Sequence, residues 1–273
     1  MKAILLAGGT GTRLRPLTSL MNKHMLPVYN FPMIHYAVRT LAEAGADEIL
    51  LVTGRQSADL FINYLGSGAE HGARITYLIQ EQAGGIAQAL DLAKPFIARE
   101  EKFLMLLGDN LVENSLRPYI DSYMKQEAGT AMVLLKQVPD PHRYGVPVFN
   151  EAGGIEMIKE KPVNPTTKFS VTGIYLYDGS VFDIVAATMP SARGELEITD
   201  VNNVYARNGM LRHEVLSGWW TDAGTFDSLH EAAIWMKERL QEANDSSATI
   251  DANDTSAASG ETVVETDLMR DES

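Results

Sequence analysis

The chain has 273 residues, 45% of them hydrophobic, enough to bury a substantial core as one large domain or two small ones. It contains no cysteine, which excludes disulfides, thiolate metal sites and a cysteine nucleophile, and its six histidines are scattered without zinc-ligand spacing. A formal net charge of −13 argues against a nucleic-acid partner, and no apolar run suits a membrane span or a signal peptide, so a soluble cytoplasmic protein is expected.

Residues 3–7 read as a buried strand, and Gly8, Gly9 and Gly11 then let the backbone turn tightly. A helix is predicted over 33–44, a strand over 48–53, a helix over 58–65, a strand over 75–79 and a helix over 86–94. Strand 102–107 ends at Gly108-Asp109-Asn110, and helix 116–126 precedes strand 130–137. This alternation predicts an α/β fold, a doubly wound, mostly parallel mixed sheet whose ligands sit beyond the carboxyl ends of its strands. The second half is more mixed, with strands at 146–150, 155–159 and 170–177 and helices at 180–188, 198–207 and 225–242; it predicts a smaller lobe built onto the same sheet. Residues 243–273 carry eight acidic residues against Arg270 alone, hence −7 of the net −13, and have no aromatic residue. They read as a disordered acidic tail behind a single domain over 1–242.

The glycine turn carries the chemistry furthest. Bare N–H groups at Gly8, Gly9 and Gly11, with Arg13, Arg15 and Lys23 nearby, suit a polyphosphate, although glycines after a strand often only make a turn. The run lacks the Gly-Lys-Ser/Thr ending of a nucleotide-hydrolase loop and the G-x-G-x-x-G spacing of a dehydrogenase. Asp109, at a strand end, and Asp222, in WWTDAGT, are two carboxylates that together suit one Mg²⁺ with room left for phosphate oxygens; separately, each also fits a turn or a helix start. Lys161 and Glu160 sit at a strand rim in KEKP. Arg193, in ARGELEITDVNNVY, suits a phosphate-gripping loop or a helix entry.

In this order, LAGGTGTRLRPLT, NKHMLPV, LGDN, RYGV, EKP, VTGIYLYD, RGELEITDVN and WTDAGTFDSL closely resemble the sugar-phosphate nucleotidylyltransferases, and RGELEITDVN points to their thymidylyl branch. The resemblance covers about residues 1–242. It implies Mg²⁺-dependent transfer from dTTP to α-D-glucose 1-phosphate, giving dTDP-glucose and pyrophosphate without a protein nucleophile. UTP or another nucleotide, or another hexose 1-phosphate, is the nearest alternative, and a silent nucleotide-sugar sensor is the alternative from another class. Residue by residue, the resemblance assigns Leu6, Gly8, Gly9, Gly11, Thr12 and Arg13 to the nucleotide, with Lys23 at the phosphates and Gln80 and Gly85 at the base. It makes Asp109 and Asp222 the metal ligands. It places Lys161 and Arg193 on the sugar phosphate and Asn110, Gly145, Glu160, Thr172 and Tyr175 on the hexose side, while a core role for Tyr175 remains open. The base-side segment QEQAGGIAQA departs from relatives that carry a proline and an acidic residue before the second glycine. Longer bacterial relatives continue into a folded extension where this chain enters its acidic tail, so the resemblance does not extend to their allosteric site or tetramer; a homo-oligomer stays open.

Overall fold

The computed structural model describes the backbone of residues 1–257 and the side chains of residues 1–242. The first half contributes β1 (Lys2–Leu6), β2 (Pro27–Val28), β3 (Phe31–Pro32), α1 (Met33–Glu43), β4 (Glu48–Gly54), α2 (Ala58–Leu65), β5 (Arg74–Gln80), α3 (Ile86–Asp91), β6 (Lys102–Leu107), β7 (Asn110–Val112), α4 (Arg117–Met124) and β8 (Ala131–Gln137). The second half adds β9 (Gly145–Phe149), β10 (Ile155–Glu160), β11 (Phe169–Asp178), α5 (Val181–Ala187), α6 (Ile198–Arg207), β12 (Leu211–Val215), β13 (Trp220–Asp222) and α7 (Phe226–Ala257).

Nine of these strands share one mixed sheet with the path β10-β9-β11-β6-β1-β4-β5, and β8 extends it by pairing with β11 and β12. β6, β1, β4 and β5 run parallel, whereas β11 lies antiparallel to β6 and joins the two halves. The chain leaves β1 toward β4 on one side and later returns to place β6 on the other. The crevice beyond the ends of β1 and β6 is thus the switch point at which α/β sheets bind ligands.

Alternation along β1 explains the layers. Ala3 and Leu5 face a core shared with Ile34, Val38 and Leu41 of α1 and Phe61 of α2. Ile4 and Leu6 face the opposite core, with Leu90 of α3, Phe182 of α5 and Val201 of α6. Strands covered on both faces must be apolar throughout, which is why β1 and β6 read as unbroken hydrophobic runs. A third cluster seats Ala232 and Met236 of α7 against Val28, Met33 and Leu111.

Most predicted elements occur within a residue or two of their bounds. α3 stops at Asp91 rather than 94, where Lys94–Phe96 forms a separate 3-10 turn; Pro95 disfavours helix in the residue before it. β2, β3, β7, β12 and β13 are additional. α7 carries its backbone helix to Ala257, past the residue 242 expected as its end; residues 258–273, the rest of the expected acidic tail, lie outside the described residues. Among the described residues, no helix is long and apolar enough to cross a membrane.

Candidate active site

A cavity of about 400 Å³ opens at the carboxyl ends of β1 and β6. One wall begins at Leu6 and continues through Gly8, Gly9 and Arg13. Lys23 reaches in from a 3-10 turn, Lys23–Met25, capped by the Asn22 side chain, which accepts from the His24 backbone N–H at 2.9 Å. The Asn22 amide also donates to the carbonyl of Ala7 at 3.1 Å, tying this turn to the end of β1. Gln80 ends β5 and is buried, with its side-chain oxygen against Gly8: a Cβ placed on Gly8 would stand 2.7 Å from it.

Two carboxylates lie between the walls. β7 and β13 form a short antiparallel ribbon that pairs Asp222 with Asn110, and the Ala223 N–H donates to the Asp109 carbonyl at 2.8 Å. Asp109 forms an ion pair with Lys23 and accepts from the Asn110 amide at 3.0 Å. Burial opposes its charge, but Lys23, His24 and these hydrogen bonds outweigh it and hold the carboxyl well below the usual range. Asp222 shifts the other way. Burial and the nearby negative charge of Asp109 raise it, against the pull of Tyr144, Arg143 and Arg13. Its Oδ1 accepts from the Tyr144 hydroxyl at 2.7 Å and from Arg143 at 3.2 Å, while Arg13 stands 3.8 Å from Oδ2. Among the described residues no group of three or more His, Asp or Glu side chains could hold a metal. The donor set is therefore two hard carboxylates, which suits an ion that takes its remaining oxygens from water and phosphate.

The opposite wall comes from β9, β10, β11 and the loop before α6. Glu160 closes β10 and accepts from Thr199 Oγ1 at 2.6 Å; its other oxygen lies 3.1 Å from Lys161 Nζ and 4.0 Å from Arg193. Arg193 also pairs with Glu197 at 2.8 Å, which raises its pKa above the ordinary value. Lys161 has a left-handed φ of +42°, costly for a side chain with a Cβ, and its N–H is held by the Tyr144 carbonyl at 2.9 Å. Asn110 ties the wall to the carboxylates. Its side-chain oxygen accepts from the Gly173 N–H at 2.8 Å and from Trp220 at 2.9 Å.

Leu6, Gly8, Gly9, Arg13, Lys23, Gln80, Gly85, Asp109, Asn110, Gly145, Glu160, Lys161, Thr172, Tyr175, Arg193 and Asp222 all line this one cavity. Gly11 and Thr12 do not. Gly11, at φ +62°, caps the 3-10 turn Thr12–Leu14 from the left-handed region, and its carbonyl accepts from Thr18 at 2.7 Å, so both residues shape the loop behind the wall. Thr172 spends its hydroxyl on the Leu134 carbonyl at 2.9 Å. Tyr175 is buried and stacked on Tyr177 as well as lining the cavity.

Sequence reasoning missed Arg143, Tyr144, Glu197 and Thr199 as lining residues, although RYGV and RGELEITDVN contain them. It also missed His24, which burial and the charge on Lys23 push down to about 3.

The family model described as nucleotidyl transferase matches residues 2–239. The chain is 43% identical to a glucose-1-phosphate thymidylyltransferase of Xanthomonas campestris, over 88% of this chain and 83% of that one. It is 41% identical to the protein of that name in Mycobacterium tuberculosis, over 88% and 84%. Among solved structures it is similar to one assigned as a glucose-1-phosphate thymidylyltransferase from Bacillus anthracis in complex with a sucrose, at 46% identity and a TM-score of 0.81, covering 86% of this chain and 94% of that one. A UDP-glucose pyrophosphorylase complexed with UDP-glucose matches at 26% identity and a TM-score of 0.78, covering 87% and 98%. With the sheet order, the crevice at the switch point and a match along almost the whole body in agreement, the chain belongs to the nucleotidyl transferase family.

Proposed function

We propose that the protein transfers a thymidylyl group from dTTP to α-D-glucose 1-phosphate, releasing pyrophosphate and forming dTDP-glucose, with Mg²⁺ required. The observation that carries this reading is the two-sided cavity. Arg13, Lys23 and the glycine loop stand on one wall, Lys161 and Arg193 on the other, and Asp109 and Asp222 between them. The names of the relatives supply the substrates.

The attacking atom is an oxygen of the sugar phosphate, already ionised near neutral pH, so no protein base is needed. It forms a bond to the α-phosphorus of the nucleotide while the bond from that phosphorus to the bridging oxygen of pyrophosphate breaks. The residues supply position and charge compensation. Lys161 and Arg193 orient the incoming phosphate, and Glu160, held by Thr199, faces the hexose hydroxyls. Arg13 and Lys23 offset charge on the departing pyrophosphate. Asp109 and Asp222 would hold Mg²⁺; the two carboxylates line the same cavity, and the charge of Asp109 is felt at Asp222, which suits a shared divalent cation. When bound, that ion neutralises phosphate oxygens.

Incubation with dTTP, glucose 1-phosphate and Mg²⁺ should release pyrophosphate, and EDTA should stop it. No release with any nucleotide would end the reading. The likeness to the UDP-glucose pyrophosphorylase favours UTP as the second reading, and a nucleotide panel separates the two.

A further inference from the structure

Gln88, on α3, is absent from the residues that line the cavity, yet its amide sits between two partners beside it. The backbone N–H of Gly84 donates to Gln88 Oε1 at 2.9 Å, and Gln80 Nε2 donates to the same oxygen at 2.7 Å. A main-chain N–H can only donate, so the Gln88 atom it meets must be oxygen, and the Gln80 atom facing that oxygen must be nitrogen. One peptide group thereby fixes the polarity of two side-chain amides. Gln80 Oε1 is turned the other way, against Gly8 in the cavity wall. The bond to Gln88 is the only side-chain hydrogen bond of Gln80 among the described residues. Gln80 thus offers the cavity a free acceptor beside a donor.

Gly84 makes this seating possible. A Cβ there would lie 2.5 Å from Gln88 Cδ and 2.6 Å from its Nε2. The loop itself is strapped in place by Leu196, whose N–H donates to the Gly84 carbonyl at 2.8 Å and whose carbonyl accepts from Ala87 at 3.1 Å.

We infer that Gln88 is a positioning residue that locks the Gln80 amide with its oxygen toward the cavity, so that the site selects nucleobases with an N–H beside a C=O over those with a bare ring nitrogen beside an NH₂. Thymine, uracil and guanine have the first kind of edge; cytosine and adenine have the second. This rests on the reading of the cavity as a nucleotide site with Gln80 at the base. Facing cytosine, the locked amide sets its oxygen against a ring nitrogen that carries no hydrogen. Turning the amide over would instead set Gln80 Oε1 against Gln88 Oε1. Either way one hydrogen bond is lost and two acceptors oppose each other. The lock does not touch the 5-position, so it does not separate thymine from uracil.

The test is kcat/KM for dTTP divided by kcat/KM for dCTP, with glucose 1-phosphate saturating. Gln88→Leu removes the acceptor, and Gly84→Ala displaces it while leaving the Leu196 strap; each should lower the ratio by about tenfold or more. Gln88→Glu keeps an acceptor for both donors and should hold the ratio within about threefold. The dTTP to UTP ratio should not move in any variant. If Gln88→Leu fails to fold, Gly84→Ala carries the test. An unchanged dTTP to dCTP ratio, or equal loss with both nucleotides, would overturn the inference by leaving Gln88 a purely structural role. Absence of turnover in the unsubstituted protein with every nucleotide would instead overturn the underlying function, and the inference with it.

Discussion

Lys23 on one wall and Lys161 and Arg193 on the other are held in opposite ways, whereas Arg13, on the same wall as Lys23, is 54% exposed. On the nucleotide side, Lys23 is 13% exposed and pairs with Asp109 at the end of a buried parallel strand. On the sugar side, Lys161 and Arg193 are each 50% exposed and pair with Glu160 and Glu197 on an antiparallel ribbon and the loop before α6. The Lys23–Asp109 pair is a fixed electrostatic frame, in which loss of either partner leaves a charge stranded away from water. On the second wall the cations themselves are half-exposed, and the Lys161–Glu160 pair in particular is one that a phosphate can displace cheaply, because exposed ion pairs contribute little. For the proposed reaction, such a cavity would preset the charge around the reacting phosphorus and leave its grip on the second substrate adjustable.

That contrast is open to attack by mutation. The largest effect is expected for Asp109→Asn: kcat should drop by about 10²–10³, as for loss of one preorganised transition-state contact. Protein stability should fall as well, because Lys23 loses its buried partner, and a lowered Tm by calorimetry would register it. A variant with kcat intact would show that the buried frame is not preset for chemistry. Next comes Arg193→Ala, for which the rise should be concentrated in KM for glucose 1-phosphate, by about tenfold to a hundredfold, since charge-assisted phosphate contacts are the strong ones. A selective loss of kcat would erase the distinction between the walls. Thr199→Val removes a single hydrogen bond to Glu160, so a rise in the same KM of about threefold to tenfold should follow.

The smallest expected effect is on stability rather than activity. Burial holds His213 of β12 below its ordinary pKa of 6.5, despite the opposing charge of Glu214. The folded protein therefore binds that proton less readily than the unfolded chain. Its contribution is fully present above about pH 6.5 and is lost as pH falls toward the lowered folded value. His213→Gln should flatten the decline of Tm between about pH 6.5 and 5; an unchanged slope would remove His213 from the acid response of this lobe.

The sequence showed the nucleotide wall more fully than the sugar wall, and the reason is physical. β1 and β6 are buried on both faces, so they read as continuous apolar runs, and the glycine turn and Asp109 follow them directly. On the other wall, β10 is exposed on one face and carries a weaker signal, and outside the wall β12, LRHEV, has too little apolar alternation to be read. β7 and β13 are three residues each and are defined only by pairing with each other, which no local pattern encodes. Gln88 shows the same limit: its partners Gln80 and Gly84 are nearby in sequence, but only the loop geometry reveals one oxygen between two donors. Gly11 and Thr12 belong to the same motif as Gly8, Gly9 and Arg13 yet lie outside the cavity lining, a distinction between wall and turn that the motif does not encode.

The ribbon of β7 and β13 also sets an order of assembly. A chain emerging from the ribosome acquires the glycine loop, β6 and Asp109 well before Asp222, which joins Asp109 only when β13 pairs with residues more than a hundred positions earlier. Trp220 on the same strand completes the hydrogen bonds of Asn110. A nascent protein therefore carries the glycine turn with one carboxylate of the pair until β13 is in place.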